Sequence, residues 1–270
     1  YGAEWLRRGF GLYFDNSNPR QSGDVHTTSA YRLPDGTVVP SAGMWARRAY
    51  LRRIWTLHRQ LYNEETPQTM MIHMTNTHIV PYMVWNDCNL DLEWRYGPQP
   101  AQAKYAADLL RAQSLGLQSG NIPVAIADIK GEAESKEQKR RAARTRWAAL
   151  TVHEIKGGIT SEHYPEPMVE FGYGLPDCRV YNYWGEEEPV KISDSRCKWL
   201  LLRRDGKLMM LLCTWRGKDS NVRVSLDTKN LGVDVSSVIN AETGEKVVGF
   251  RDGTFSFEMN GYGVRIFRLE

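Results

Sequence analysis

The sequence has few of the features that mark cofactor-dependent or membrane proteins. None of its four cysteines lies in a C-x-x-C pair, so the usual zinc and redox spacing is absent. No apolar run approaches the roughly 20 residues of a membrane span. A P-loop, a G-x-G-x-x-G fingerprint, a G-x-S-x-G elbow and an H-E-x-x-H helix are also missing, so we expect no cofactor and no metal. Cys178 and Cys197 are candidates for a disulfide, with four free thiols as the alternative.

A strong excess of one charge is missing too. The net charge is +3 over 270 residues, and basic residues are dispersed among acids, which argues against a nucleic-acid partner. The one basic run, Lys139 to Arg141 with Arg144 and Arg146, falls in a helical-looking segment rich in Ala, Glu and Gln. We therefore interpret that run as a solvated helix face.

Aromatic residues, in contrast, are plentiful. The chain has nine Trp and thirteen Tyr, whose flat faces with a polar tip suit stacking on sugar rings. Many of them must still belong to the core, because aromatic side chains dominate core packing in general. The aromatic content therefore favours a carbohydrate ligand but does not establish one by itself.

The first part of the chain alternates between apolar strands and helices. Strands are predicted at 10–14, 70–74, 122–127 and 150–152, and helices at 42–62, 101–117 and 132–147. This alternation predicts βαβ units with the four strands parallel and adjacent. Four units cannot close an eight-stranded barrel of about 250 residues. We therefore expect 1–176 to be the C-terminal half of a (β/α)8 barrel that an upstream segment or second chain completes.

From about residue 177 the strand-like runs follow one another without helices. They are predicted at 198–203, 207–214, 221–226, 235–240, 245–250, 254–259 and 263–269. Asp205-Gly206 and Asp252-Gly253 between such runs are strong hairpin signals. The predicted fold class is α/β: the C-terminal part of a (β/α)8 TIM-type barrel, followed by an antiparallel β-sandwich over 177–270.

The first candidate site residues follow the apolar strand 10–14. Active sites of (β/α) barrels form at the carboxyl ends of the strands, which is where Asp15 and Asn16 fall. The alternative is that Asp15 caps the turn that follows.

The second candidate region is 72–94, which places many polar and titratable groups between apolar tracts. Such groups are costly to bury unless they are paired or functional. A helix-capping Asp91 or a core His73 with satisfied hydrogen bonds is the alternative. The candidates there are His73, Asn76, His78, Asp87, Asp91 and Glu93, with Tyr82, Trp85, Trp94 and Tyr96 as aromatic neighbours.

Two further strand ends supply candidates. Asp128 follows the predicted strand at 122–127, and His153-Glu154 follow the one predicted at 150–152. Each of these is also a possible N-cap of the next helix.

A glycosidase needs two carboxyl groups, one as acid and one as nucleophile or base. Asp15 and Glu93 are the first choices, and we expect them at the ends of neighbouring strands. The reserves for catalysis are Asp87, Asp91 and Glu154. We expect substrate binding by the remaining candidates: Asn16, His73, Asn76, Trp85, Trp94, Tyr96, Asp128 and His153.

Three segments carry a resemblance to a known family: YFDN at 13–16, HMTNT at 73–77 followed by Pro81 and an acidic cluster, and VYNYWG at 180–185. Together they resemble the C-terminal portion of glycoside hydrolase family 123-like barrels. The resemblance implies a (β/α)8 catalytic barrel with an appended sandwich that acts on a polysaccharide or glycoconjugate. Family 123 cleaves N-acetylgalactosaminides by substrate assistance with an adjacent Asp-Glu pair. This chain has no Asp-Glu dipeptide, so that mechanism is not carried over.

These observations predict a secreted or periplasmic glycoside hydrolase with paired carboxylates and a carbohydrate substrate. The competing hypothesis is a non-catalytic carbohydrate-binding or assembly protein on a degenerate barrel. Two carboxylates about 5 to 10 Å apart in one cleft would favour hydrolysis.

Overall fold

A computed structural model describes residues 2–26, 30–61, 69–74, 77–129, 135–157 and 166–270, except for the side chains of 94–96 and 127–129. The chain divides into two compact units. The first unit comprises Tyr1–Glu93 and Gln113–Ile126, and the second comprises Trp94–Ala112 and Ala127–Glu270.

The elements of the N-terminal part alternate between helix and strand. The helices are α1 (Gly2–Arg7), α2 (Met44–Leu61), α3 (Val80–Met83), α4 (Ala101–Lys104), α5 (Ala107–Gln113), a 3₁₀ turn (Leu115–Ser119), α6 (Lys136–Thr151) and α7 (Glu166–Phe171). The strands are β1 (Leu12–Phe14), β2 (Tyr31–Arg32), β3 (Val38–Val39), β4 (Met70–His73), β5 (Cys88–Tyr96), β6 (Ile122–Ile129) and β7 (Lys156–Gly157). The helix predicted at 101–117 is thus broken into three pieces.

The predicted parallel sheet is present in part, at β1, β4 and β5. Five strands lie in the order β1-β4-β5-β6-β7. β1 and β4 pair in parallel with Phe14 opposite Ile72, and β4 and β5 pair in parallel with His73 opposite Leu90. The prediction that 10–14 and 70–74 are parallel neighbours is confirmed, but β5 is the next strand along and was not predicted. Closure of this sheet into a barrel stays a prediction.

The strand predicted at 150–152 was wrong. Those residues end α6, which begins after Ser135, whose side chain accepts the Gln138 N–H as an N-cap. The Ala-rich end of this segment prolongs the helix, because Ala has the highest helix propensity. His153 and Glu154 therefore follow a helix and precede β7, rather than following a strand.

Strand alternation gives the first-unit sheet two faces. Leu12, Phe14, Met70 and Ile72 pack with the buried side of α2, at Leu51 and Ile54. Tyr13, Met71 and His73 occupy the alternate positions of the same strands and so point to the opposite face. Tyr13 and His73 therefore lie on the face of the sheet that α2 does not cover, where they can form a site.

Gly11 fixes how closely β1 approaches the chain that enters β4. The Leu12 N–H donates to the Thr69 carbonyl over 3.0 Å. A Cβ at residue 11 would lie 2.3 Å from that same carbonyl oxygen, so any side chain must push the two backbones apart.

We expect Gly11→Ala to lower the free energy of unfolding by about 1–3 kcal/mol, the usual cost of overpacking. Chemical denaturation monitored by circular dichroism measures this. Gly23→Ala is the matched control, since nothing lies within 4 Å of its added Cβ. Equal stability of the two variants would contradict the close approach.

The C-terminal strands form two antiparallel sheets. The remaining elements are β8 (Arg179–Asn182), β9 (Val190–Ile192), β10 (Cys197–Arg204), β11 (Lys207–Thr214), β12 (Ser220–Leu226), α8 (Thr228–Leu231), β13 (Val238–Asn240), β14 (Thr254–Met259) and β15 (Val264–Leu269). One sheet has the order β13-β15-β11-β10-β8 and the other β14-β12-β9. Both contribute to one buried core, with Trp199 and Phe267 from the first sheet and Val224 and Phe255 from the second.

The hairpin signals were correct at both positions. Asp252 and Gly253, with φ values of 49° and 73°, form a two-residue turn between Arg251 and Thr254, which pair as an antiparallel bridge. β10 and β11 pair with Arg204 opposite Lys207, so Asp205 and Gly206 form a two-residue turn. Their φ values of 49° and 69° are both left-handed, as a type I′ turn requires. The strand predicted at 245–250 was wrong, because apart from a single bridge at Lys246 this segment does not join a sheet, and Gly249 takes a left-handed φ of 80°.

Two points of the sequence analysis, the lack of a membrane span and the state of the cysteines, can be compared with the structure. No helix in the described ranges is long and apolar enough to cross a membrane. Cys88, Cys178, Cys197 and Cys213 are all buried free thiols, so the structure has the four-thiol alternative rather than a Cys178–Cys197 disulfide.

Candidate functional site

Asp15 lies directly beyond the carboxyl end of β1. Asn16 takes a left-handed φ of 47°, which turns the chain sharply after the strand and is a conformation that Asn tolerates better than most residues. The Asp15 side chain remains 55% exposed. The strand thus presents a carboxylate to solvent at the sheet edge where β4 also ends, in His73.

Tyr13, Asp15 and His73 form a hydrogen-bonded triangle. His73 Nδ1 lies 3.0 Å from Asp15 Oδ1 and 2.7 Å from the Tyr13 hydroxyl, and that hydroxyl donates to Asp15 Oδ1 over 3.2 Å. Asn16 Nδ2 donates to the other carboxylate oxygen over 2.9 Å. The carboxylate therefore has a partner on each oxygen.

One proton arrangement satisfies all three contacts of the triangle. With a proton on His73 Nδ1, that N–H is shared between Asp15 Oδ1 and the Tyr13 oxygen, and the Tyr13 hydroxyl donates to Asp15 Oδ1. Without that proton, lone pairs of His73 and Asp15 would face each other across 3.0 Å. The geometry therefore favours an Nδ1-protonated His73 beside an ionised Asp15.

The pKa shifts of Asp15 and Tyr13 agree with this arrangement. Partial desolvation alone would raise the pKa of Asp15, but the hydrogen bonds from Asn16, Tyr13 and His73, with the charge of His73, hold it below its ordinary value. The pKa of Tyr13 is raised to about 12 by desolvation, then by the charge and hydrogen bond of Asp15, and then by the charge of Glu93. Tyr13 therefore stays a protonated donor, and both first-choice carboxylates act on it.

Asp15 and Glu93 are not on neighbouring strands as expected, because β4 lies between β1 and β5. Glu93 lies within β5 rather than in a loop after a strand. Its effect on the pKa of Tyr13 nevertheless relates it to the Asp15 triangle.

Asp91 belongs to a separate buried ion pair. Its Oδ2 lies 3.0 Å from His78 Nδ1, and its Oδ1 accepts the Thr77 N–H over 2.8 Å. Burial alone would lower the pKa of His78, but Asp91 and the Gln113 carbonyl raise it above its ordinary value. Asp91 is 3% exposed, so its oxygens are directed to holding His78 and the segment that precedes α3.

Asp87 and Trp85 are placed away from the triangle. Asp87 precedes β5, and its Oδ2 accepts the N–H of Met70, the first residue of β4, over 2.8 Å. It therefore lies at the amino ends of these strands, opposite the edge where Asp15 lies. Trp85 packs with Ile72 on the helix-covered face, under the Arg48 guanidinium, rather than beside Tyr13 as a sugar platform.

His153 is the centre of a buried aromatic cluster in the second unit. Its Nδ1 donates to the Ala149 carbonyl over 2.6 Å, and its Nε2 lies 2.8 Å from the Tyr183 hydroxyl. The ring stacks on Trp184 at 5.9 Å with an interplanar angle of 8°, and Trp215 meets it edge-on. Burial lowers the pKa of His153 to about 4, although the Ala149 hydrogen bond opposes this, and the charges of Lys198 and Arg111 lower it further.

Residues next to this cluster add further contacts between α6 and the VYNYWG segment. Glu154, with a left-handed φ of 55°, accepts the Asn182 amide over 2.7 Å, and the Arg111 guanidinium lies 4.8 Å above Trp184. These contacts join α6 to the VYNYWG segment. His153 is fully buried with both ring nitrogens in hydrogen bonds. The predicted placement of His153 and Glu154 at a strand end was wrong, whereas their site roles stay predictions.

Four candidate site residues, or their side chains, lie outside the part of the chain that the structure describes. Asn76 lies outside the described residues, as do the side chains of Trp94 and Tyr96. Asp128 lies within β6 rather than after it, and its side chain is also outside the described part.

Sequence reasoning missed Tyr13 and the pairing of His153 with Tyr183 and Trp184. The signal for Tyr13 was its position two residues before Asp15, which places both side chains on the same side of an extended strand. In the described ranges, no group of three or more His, Cys, Asp and Glu side chains is arranged to hold a metal ion.

The fold is similar to that of solved glycosidases. A GH27 β-L-arabinopyranosidase from Geobacillus stearothermophilus matches 100% of this chain at a TM-score of 0.56 and 11% identity, and this chain covers 61% of that one. A variant of the same enzyme in complex with arabinose matches 97% of this chain at a TM-score of 0.52 and 11% identity, with 74% of that chain covered. At this identity the likeness concerns the fold alone.

Sequence comparison identifies the C-terminal part. No curated protein matches the chain in sequence. Residues 169–257, which are less than half of the chain, match the family description "Glycoside hydrolase 123, C-terminal domain". The C-terminal portion of this protein is therefore glycoside hydrolase 123-like.

Proposed function

We propose that this protein hydrolyses glycosidic bonds of a polysaccharide or glycoconjugate, with Asp15 as a charged carboxylate of the active site. The observation that carries the proposal is the Tyr13–Asp15–His73 triangle at the carboxyl ends of two parallel strands. Barrel glycosidases have their active sites at such an edge.

The donors around Asp15 favour one of the two carboxylate roles. A general acid must hold a proton near neutral pH, which requires a raised pKa. The pKa of Asp15 is lowered, so Asp15 suits the nucleophile, the base for water, or the stabiliser of positive charge on the sugar. The exposed fraction of its side chain leaves room for a substrate.

Glu93 is the proposed partner carboxyl group. Its charge raises the pKa of Tyr13 alongside that of Asp15, so both acids interact electrostatically with the same hydroxyl. We assign it as the second of the two carboxyl groups that glycoside hydrolysis requires. His73 and Asn16 then position Asp15 through their hydrogen bonds rather than by reacting.

The comparisons support a glycoside hydrolase in the broad sense, through the family 123-like segment and the glycosidase-like fold. The competing hypothesis is a carbohydrate-binding protein that has kept the fold without the chemistry. A secreted or periplasmic location belongs to this proposal, because polymeric glycans are degraded outside the cytoplasm. Completion of the barrel by an upstream segment or a second chain stays a prediction.

Turnover of model substrates tests the proposal. The purified protein is incubated with a panel of aryl glycosides that includes a β-L-arabinopyranoside and an N-acetyl-galactosaminide, together with polysaccharides. We expect release of the aryl group or of reducing ends well above the uncatalysed rate for at least one substrate. Tight binding of a polysaccharide without turnover of any panel member would support the binding protein instead.

A further inference from the structure

A polar groove lies in the second unit between α6 and the loops that bound β12, β14 and β15. Its volume is about 570 Å³. The basic run that we interpreted as a solvated helix face borders this groove and is only partly solvated, since Arg146 is 6% exposed. The charged residues that line the groove are Arg140, Arg141, Arg144, Arg265, Glu137, Asp219 and Glu242. We call it the arginine groove.

Neutral backbone carbonyls hold the guanidinium groups of the arginine groove in place. Arg141 donates to the Gly261 carbonyl over 3.0 Å, and Arg144 donates to the Val264 carbonyl over 3.1 Å. Arg265 donates to the Glu258 carbonyl over 3.2 Å and to Asn260 Oδ1 over 2.9 Å. Such contacts fix the direction of a guanidinium but do not neutralise its charge.

The arginines also crowd one another. Burial lowers the pKa of Arg265 below its ordinary value, and the nearby charge of Arg144 lowers it further. Glu242 pairs with Arg144, and Asp219 accepts the Gly261 N–H over 2.8 Å. The groove therefore keeps a net positive charge, and an added anion would relieve the repulsion between fixed cations.

We propose that the arginine groove binds an acidic sugar chain through its sulfate or carboxylate groups, at a site that is not the Asp15 triangle. The polysaccharide class rests on the proposed function. Arginine binds both anions in bidentate geometry, and it does so best where its side chain is already held.

The carboxylates of the groove favour a glycan over a nucleic acid. Glu137 and Asp219 can accept hydrogen bonds from sugar hydroxyls, which are far more numerous on a glycan than on a nucleic-acid backbone. Tyr262 also lines the groove and offers an aromatic face for a ring.

Binding without turnover tests this inference, so its result does not depend on whether the protein hydrolyses the chain. Dissociation constants are measured at 0.15 M salt for dextran sulfate, for polygalacturonate and for neutral dextran. The first two distinguish sulfate from carboxylate recognition. We expect one or both of them to bind and neutral dextran to bind at least tenfold more weakly, since the loss of a charge-assisted hydrogen bond typically lowers affinity by about tenfold or more.

The test variant is Arg140→Gln with Arg141→Gln, both exposed on α6. We expect it to weaken binding about 10- to 100-fold with an unchanged melting temperature. Lys136→Gln with Lys139→Gln is the matched control, because it removes the same charge from the same helix outside the groove lining. We expect the control to change binding by less than about threefold.

Three outcomes would overturn the inference. Equal weakening by the two double variants would mean that only net charge matters. Binding of single-stranded RNA as tight as that of either acidic glycan would point to a different macromolecule. Absence of binding to both acidic glycans would remove the site.

Discussion

Replacing Asp15 with asparagine should lower the rate of glycoside hydrolysis about 10²- to 10⁴-fold, the usual contribution of a positioned acid or base. The amide keeps the size and part of the hydrogen bonding but loses the charge that three donors now stabilise. Because the side chain is exposed, folding should change little. kcat and KM on the best substrate of the panel measure the effect, and the melting temperature reports on the fold.

Asp35→Asn is the matched control for this variant. Asp35 is another exposed carboxylate in a turn, where it accepts the Thr37 N–H over 2.9 Å. It should retain full activity. Glu93→Gln should lose activity to a similar extent as Asp15→Asn if Glu93 is the second carboxyl group of the mechanism. Wild-type rates in both Asp15→Asn and Glu93→Gln would remove this pair from the mechanism.

Acidification should destabilise the protein through His153. The folded-state pKa is about 4, below the ordinary value of 6.5, so the unfolded chain binds a proton that the folded chain does not between these pH values. The stabilisation is complete above pH 6.5 and is lost as the pH falls toward 4. A shift of this size corresponds to about 3 kcal/mol.

The measurement is the free energy of unfolding against pH, from urea denaturation between pH 7 and pH 4. His153→Asn should be less stable at pH 7, since it loses the packing on Trp184, but its stability should fall less steeply with acid. The control is His26→Gln, which removes an exposed histidine. Parallel pH curves for wild type and His153→Asn would show that His153 does not titrate in this window.

The apolar elements could be predicted because their signals are local. β1, β4 and α2 each follow from a run or a period of apolar residues, and Asp15 follows from being the first polar residue after such a run. β5 was overlooked because polar Asn89, Asp91 and Glu93 alternate with Leu90 and Leu92. That alternation is itself a strand pattern, but we interpreted its acids as candidate site residues between apolar tracts.

The site contacts could not be predicted because they join distant residues. The Tyr13–His73 contact spans 60 residues, and the Tyr183–His153 contact spans 30. No local pattern distinguishes His73, which lies within hydrogen-bond distance of a carboxylate, from His153, which packs among aromatic side chains. The difference arises from tertiary environment, since one histidine borders a strand end and the other is fully enclosed by aromatic rings.

The strand order of the larger antiparallel sheet has a consequence for synthesis on the ribosome. β15, at Val264–Leu269, lies between β13 and β11 and pairs with both. β13 is made earlier but has no sheet partner until β15 has emerged, because its hydrogen-bonding neighbour in this sheet is β15. The sandwich core, which includes Phe267, therefore cannot close co-translationally while residues up to 269 remain in the exit tunnel. Until β15 emerges, the apolar strands of the sandwich stay exposed and prone to aggregation.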